Sequence, residues 1–163
     1  MQKTLAAIFF ATIIYTNGKA QSSTNPFYVD GVAYEVTDAS HGYVSVTGLG
    51  TSASETVTIP QTVENNGTTY TVTAIASHAF QTTGTTVSSL IVNSSGANEE
   101  GFVIGDSIFY GGPSTTTFST LELNGRIASI GVGAFRFCAL TKLTMPKGVG
   151  HIYIMELFRI ARS

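Results

Sequence analysis

Charged residues are scarce in this sequence, and basic residues are absent from most of its length. Only 11% of the 163 residues are charged, and residues 21–125 hold nine Asp or Glu but no Lys or Arg. Proteins that bind nucleic acids neutralise the phosphates with clustered Lys and Arg side chains. We therefore expect no nucleic acid among the partners of this chain.

Cysteine is almost missing as well. The one cysteine is Cys138, so an internal disulfide bond is excluded, and no cysteine near the N-terminus is available for lipid attachment. A free cysteine is usually a small core residue unless a neighbour lowers the pKa of its thiol. We expect Cys138 to be structural.

Residues that could converge on a catalytic centre are few. The three histidines, His41, His78 and His151, are spread along the chain. The sequence has no His-Glu-x-x-His, no Gly-x-Ser-x-Gly, no phosphate-binding loop and no dinucleotide fingerprint. We therefore expect no enzymatic activity, no cofactor and no metal. A secreted hydrolase acting on glycan or peptide is the less favoured alternative.

The polar residues that are present favour β-structure. Apolar residues make up 43% of the chain, and Thr, Ser, Asn and Gly supply most of the polarity. Thr suits strands and Gly suits turns, whereas the strong helix formers Lys, Glu and Arg are rare. The length fits one compact domain or a short repeat array.

The first twenty residues have the pattern of an export signal. Lys3 is followed by an apolar run from Leu5 to Ile14, and Gly18 and Ala20 are small residues at the positions that a signal peptidase inspects. The run is shorter than the roughly 20 residues that cross a bilayer, which argues against a membrane anchor. We expect cleavage before Gln21, a secreted or cell-surface location, and no stable membrane insertion afterwards.

Two short phrases recur along the chain and indicate internal repeats. One is a strand with apolar residues two positions apart, and the other is an Ile followed five residues later by Phe. Near the end, Leu121 and Leu143 are 22 residues apart, as are Ile130 and Ile152. The strand phrase begins at Val57, Leu90, Leu121 and Leu143, and the Ile-to-Phe phrase spans residues 75–80, 104–109 and 130–135.

Such repeats predict a solenoid, because a coil of this length cannot bury its own apolar row whereas stacked coils form a continuous core. A β-sandwich of short strands remains the alternative architecture. Before the repeats, Asp30-Gly31 and Asn66-Gly67 each lie between strand-like segments and suit tight hairpin turns. We predict that these hairpins cap the open first face of the stack.

Several segments of the repeats share one pattern, namely residues 57–60, 66–75, 79–80, 130–131, 134–135, 138 and 140–146. With these segments the chain resembles the BspA-like leucine-rich repeat family of bacterial surface proteins, over roughly Phe27 to Ile152. The resemblance implies a mainly β, short leucine-rich-repeat solenoid with an N-terminal β-hairpin cap. It also implies an adhesion or binding module whose partner is a host, matrix or cell-surface protein or glycan.

The sequence thus divides into four segments. Residues 1–20 are the signal peptide, 21–80 the hairpin cap and first repeat, and 81–152 the leucine-rich repeats. Residues 153–163 depart from the repeat pattern, so the end is divergent or truncated. A non-functional fragment of a longer repeat protein is therefore an alternative, and an uncapped last coil predicts self-association.

A binding surface follows from the two-residue period of a strand. The strand leucines point inward, so the residues between them point outward and align when the coils stack. Ile91, Glu122 and Lys142 differ from the Thr and Ser that are ordinary at such positions. The candidate ligand-binding residues are Thr58, Ile91, Glu122, Lys142 and Thr144.

Overall fold

The structure is a computed structural model that describes residues 25–81, 86–94, 101–110, 117–146 and 151–152. These residues form twelve strands and no helix, so the chain is mainly β. The expected signal peptide at 1–20 and the divergent end at 153–163 lie outside the described residues. The strands are β1 (Phe27–Val29), β2 (Val32–Asp38), β3 (Tyr43–Leu49), β4 (Thr56–Ile59), β5 (Thr62–Asn65), β6 (Thr68–Ile75), β7 (Ser89–Asn93), β8 (Phe102–Ile104), β9 (Thr120–Asn124), β10 (Ile127–Ile130), β11 (Lys142–Thr144) and β12 (His151–Ile152).

Four of these strands form a wholly parallel sheet, which we call sheet B. Its order is β11-β9-β7-β4, so each successive coil adds one strand to the same edge. Side chains alternate along each strand, as the repeat phrase predicts. In β7, for example, Leu90 and Val92 are fully buried whereas Ile91 is only half-buried.

The second sheet, which we call sheet A, combines antiparallel and parallel pairing. The strands β1, β2 and β3 form an antiparallel meander, and β3 then begins a parallel series that continues through β6, β8, β10 and β12. The strand β5 pairs with β6 as a hairpin. The repeat phrases do not predict β3, yet it joins the first hairpin to the repeats.

Both expected hairpin turns are confirmed. Asp30 and Gly31 connect β1 to β2 with φ values of 49° and 77°, and Asn66 and Gly67 connect β5 to β6 with 51° and 77°. Two consecutive positive φ values define the turn whose twist matches that of the paired strands. Asn, Asp and Gly tolerate this conformation best.

The two sheets share one core, which a row of phenylalanines crosses from coil to coil. Phe80, Phe109 and Phe135 close the three Ile-to-Phe phrases and are at most 1% exposed. The ring centroid of Phe109 lies 5.2 Å from that of Phe80, 6.1 Å from that of Phe135 and 4.4 Å from that of Phe118. The repeated phrase is therefore a repeated core contact between adjacent coils.

Between each Ile and Phe the chain turns sharply and approaches the preceding coil closely. The third residue after each Ile has a positive φ: 64° at His78, 51° at Ser107 and 63° at Gly133. The residue directly after Ile104 is Gly105, where a Cβ atom would clash with backbone atoms of Ala76 and Ser77. Close stacking of the coils explains why glycine occupies this place.

A ladder of hydroxyl groups joins the coils at the entrance to sheet B. Ser88 Oγ donates to the carbonyl of Glu55, Ser119 Oγ to that of Ser88, and Thr141 Oγ1 to that of Ser119, each at 3.3 Å. The backbone N–H groups beside them donate to the same carbonyls. These bonds fix the register of one coil against the next.

Candidate functional site

The register of sheet B brings the predicted binding residues onto one surface. Thr58 pairs with Ile91, Ile91 with Glu122, and Glu122 with Thr144, so these four form a single row across the strands. A neighbouring row, which ends in the fifth predicted residue, consists of Thr56, Ser89, Thr120 and Lys142. We call the two rows together the sheet B face.

The sheet B face carries one ion pair. Lys142 Nζ lies 2.6 Å from Glu122 Oε1, and the two side chains are 62% and 29% exposed. Exposed pairs of this kind contribute about 0.2–1 kcal/mol to stability because water screens them. Both charges therefore remain accessible to a partner at little cost to the fold.

Hydroxyl groups and one aliphatic side chain make up the rest of the sheet B face. Thr58 and Thr144 are exposed, while Ile91 is half-buried between its neighbours in the row. Beyond the row, the side-chain amide of Asn124 donates to Asn93 Oδ1 at 3.1 Å. The face offers regularly spaced polar groups, and an open cavity at its β4 edge is lined by Thr56 and Thr58 together with Asp30 and Ala53.

Sheet B ends at β11 within the described residues, and this affects one predicted core residue. Leu143 pairs with the buried Leu121, so the pairing puts it on the inward side, as the sequence predicts. It is nevertheless 41% exposed. In the part of the chain that the structure describes, no strand lies beyond β11 to cover it.

The turn between β2 and β3 contains a side-chain cluster that sequence reasoning missed. His41 Nδ1 lies 2.7 Å from Asp38 Oδ2, and Ser40 Oγ donates to Asp38 Oδ1 at 2.6 Å. The side-chain hydrogen bonds from Ser40 and His41 hold the pKa of Asp38 far below its usual range. Their spacing of two and three residues is a turn signal.

This cluster contains the residue types of a serine hydrolase but not the arrangement. In such enzymes the carboxylate binds Nδ1 and the nucleophilic hydroxyl faces Nε2 of the same imidazole. Here the Ser40 hydroxyl also lies beside Nδ1 of His41, at 3.1 Å. The bonds stabilise an exposed turn, and no group of three or more potential metal ligands occurs among the described residues.

Two aromatic residues and an arginine from neighbouring coils form a second feature that the sequence analysis did not identify. Tyr110 and Phe137 lie close together, with Arg136 beside both rings. The sequence spacing indicates that two of them are neighbours. Phe109 and Phe135 are 26 residues apart, and so are the residues that follow them, Tyr110 and Arg136. Equal spacing places these two at equivalent points of adjacent coils.

Cys138 packs against the core and is partly buried. Burial raises the pKa of its thiol to about 12, because a buried site disfavours the charged thiolate. The raised pKa makes the thiol a poor nucleophile at neutral pH.

We expect native Cys138 to react with iodoacetamide at least about a hundredfold more slowly at pH 8 than it does in urea, because so little of it is thiolate. Between pH 7 and 10 the native rate should rise about tenfold per pH unit, whereas the rate in urea should level off above pH 9. Mass spectrometry of timed samples measures both rates. A native rate that levels off near pH 8 would contradict the raised pKa of the Cys138 thiol.

The described residues include no helix long and apolar enough to cross a membrane. No family model and no curated protein matches the chain. The chain is similar to the crystal structure of a leucine-rich repeat protein from Bacteroides capillosus, with a TM-score of 0.65 and 23% sequence identity. The match covers 85% of this chain and 96% of that chain. This likeness shows that the chain has a leucine-rich repeat fold.

Proposed function

We propose that this chain is a non-catalytic binding or adhesion module that engages a protein or glycan of a host, matrix or cell surface through the sheet B face. The observation that carries the proposal is the alignment of Thr58, Ile91, Glu122 and Thr144 across four parallel strands. A rigid sheet holds such a row in one geometry, which lowers the entropy lost on binding.

The chemistry of the face fits a partner with mixed polar and charged groups. Glu122 and Lys142 offer one charge of each sign, and the threonines offer hydroxyl donors and acceptors. Ile91 supplies an apolar contact at the centre of the row. We assign no cofactor or metal to this face, because nothing in its composition suggests either.

Export and membership of the BspA-like family belong to the same proposal. The N-terminal sequence pattern supports a signal peptide, and the repeat phrases support the family. We also propose that the meander of β1, β2 and β3 caps the stack, because β2 lies beyond β3, the strand that begins the parallel series of sheet A. At the other end, the exposed Leu143 supports self-association.

The triple variant Ile91→Thr, Glu122→Gln and Lys142→Gln tests the sheet B face. We expect its binding to a panel of immobilised matrix proteins and cell-surface glycans to weaken about tenfold or more, since central contacts dominate binding energy. Surface plasmon resonance gives the dissociation constants. The far-ultraviolet spectrum should not change, because none of the three side chains belongs to the core.

A matched control makes the same chemical changes elsewhere. Val103→Thr, Glu64→Gln and Arg126→Gln replace exposed residues outside sheet B, and this variant should bind like the original chain. Equal binding by both triple variants would move the site away from the sheet B face. If the original chain binds no member of the panel, the binding function itself is contradicted.

A further inference from the structure

An exposed aromatic pair lies outside sheet B, on the turns that follow β8 and β10. Tyr110 and Phe137 are each 43% exposed, and their ring centroids lie 6.1 Å apart. The phenylalanines that end the Ile-to-Phe phrases are fully buried instead. Exposed aromatic side chains that meet on a surface are typical of interaction sites.

Arg136 completes a surface that we call the aromatic–arginine patch, consisting of Tyr110, Arg136 and Phe137. The guanidinium carbon of Arg136 lies 4.7 Å from the centre of the Phe137 ring and 5.9 Å from that of Tyr110. Both distances are within the range of cation–π attraction. The two rings thus hold the guanidinium in place and remove part of its water.

No carboxylate among the described residues forms an ion pair with Arg136. The ion pairs among the described residues join His41 to Asp38 and Lys142 to Glu122, and neither involves Arg136. Its Nε is buried and has no hydrogen-bond partner. A partly dehydrated cation without a carboxylate is unfavourable, and a carboxylate from a partner relieves that cost.

The backbone at Phe137 gives an independent indication. Its φ of 66° is unfavourable for a bulky side chain. The other positive φ values at residues other than glycine fall in the two hairpin turns or at the repeated turn of the coils. Phe137 is the third residue of a turn in which the Cys138 N–H donates to the carbonyl of Phe135 at 3.2 Å, a position where a positive φ is required and glycine is usual. A phenylalanine thus occupies a position that glycine would fill with less strain, and its exposed ring lies beside Tyr110, which favours a role for the ring at the surface.

We infer that the aromatic–arginine patch binds an acidic segment of a partner protein. A carboxylate of that segment accepts hydrogen bonds from the Arg136 guanidinium, and the apolar side chains beside it pack on Tyr110 and Phe137. Tyr, Phe and Arg are enriched at the centres of protein interfaces, which favours a protein partner. This surface shares no residue with the sheet B face, and the two proposals are independent.

The probe is a pool of blocked nonapeptides with a central glutamate and variable apolar flanks, compared with the same pool carrying glutamine. Titration into the labelled chain, followed by amide NMR shifts, should move the signals of Tyr110 and of residues 135–138 for the glutamate pool. The variants Arg136→Gln and Phe137→Gly should each weaken this binding about tenfold. Arg126→Gln removes an exposed arginine outside the patch and should leave it unchanged.

Thermal unfolding separates binding from structure. Phe137→Gly removes the ring and also the unfavourable φ, so its unfolding midpoint should not fall even though binding is lost. A clearly lower midpoint would assign Phe137 a structural role and overturn the inference. So would equal binding of the two pools, no binding of either at millimolar concentration, or shifts confined to other residues. Preferential binding of an acidic oligosaccharide at the patch would also overturn it.

Discussion

Replacement of Phe109 by alanine should lower the free energy of unfolding by about 3–5 kcal/mol, the usual cost of deleting a buried phenylalanine. Phe109 is fully buried and contacts the rings of Phe80, Phe118 and Phe135. The deletion would thus leave a cavity between three coils rather than within one. Because small domains are stable by about 5–15 kcal/mol, the loss is a large share of the total. Urea unfolding followed by circular dichroism measures it.

The adjacent residue provides the control for this prediction. Tyr110 is 43% exposed, and Tyr110→Ala should change the free energy of unfolding by less than about 1 kcal/mol, as is usual for surface positions. The two variants remove aromatic rings from neighbouring positions of the same chain segment. If both variants lost a similar amount of unfolding free energy, the row of buried phenylalanines would not be the main source of stability in the core.

The substitution Gly105→Ala should destabilise the chain by about 3 kcal/mol, at the upper end of the cost of overpacking. The added Cβ would lie within 2.8 Å of backbone atoms of Ala76 and Ser77 in the preceding coil. Backbone cannot rotate away as a flexible side chain can. The coils would have to separate locally, which also weakens the bond from Gly105 N to the carbonyl of Ile75.

Gly48→Ala is the matched control, since Gly48 is a strand glycine in β3 with room for a methyl group. The nearest atom to an added Cβ there is the carbonyl oxygen of Ala79 at 3.6 Å, an ordinary contact distance. Alanine in a strand is favoured over glycine by about 0.5–1 kcal/mol, so this variant should be slightly more stable. Equal destabilisation of both variants would argue against close stacking at Gly105.

Repeat spacing in the sequence predicted the pairing of the coils well. The 22-residue spacing of Leu121 and Leu143 is the register between β9 and β11, and that of Ile130 and Ile152 is the register between β10 and β12. Register follows such spacing because a slip of one residue would turn every buried side chain outward. The aligned rows of the sheet B face therefore needed no structural information.

Other features depend on contacts that no local pattern records. The strand β3 lacks the repeat phrases, and its place in sheet A is set by pairing with both β2 and β6. Arg136 acquires its surroundings from Tyr110 of the preceding coil, and the positive φ of Phe137 contradicts the preference of its own residue type. Such sites arise where contacts between coils and the geometry of a turn override the preference of a single residue.

The direction of the hydrogen bonds between coils has a mechanical consequence. These bonds run along the stack, so a force that pulls the two ends apart loads the junctions between coils in series, and the junction with the fewest bonds opens first. In sheet B, four residue pairs join β4 to β7 and five join β7 to β9, but only three join β9 to β11. In sheet A, two pairs join β6 to β8, three join β8 to β10 and two join β10 to β12, so the last junction has the fewest pairs when both sheets are counted. Among the described coils, tension along the stack therefore peels away the last one first, while Thr58 and Ile91 keep their positions on the earlier coils.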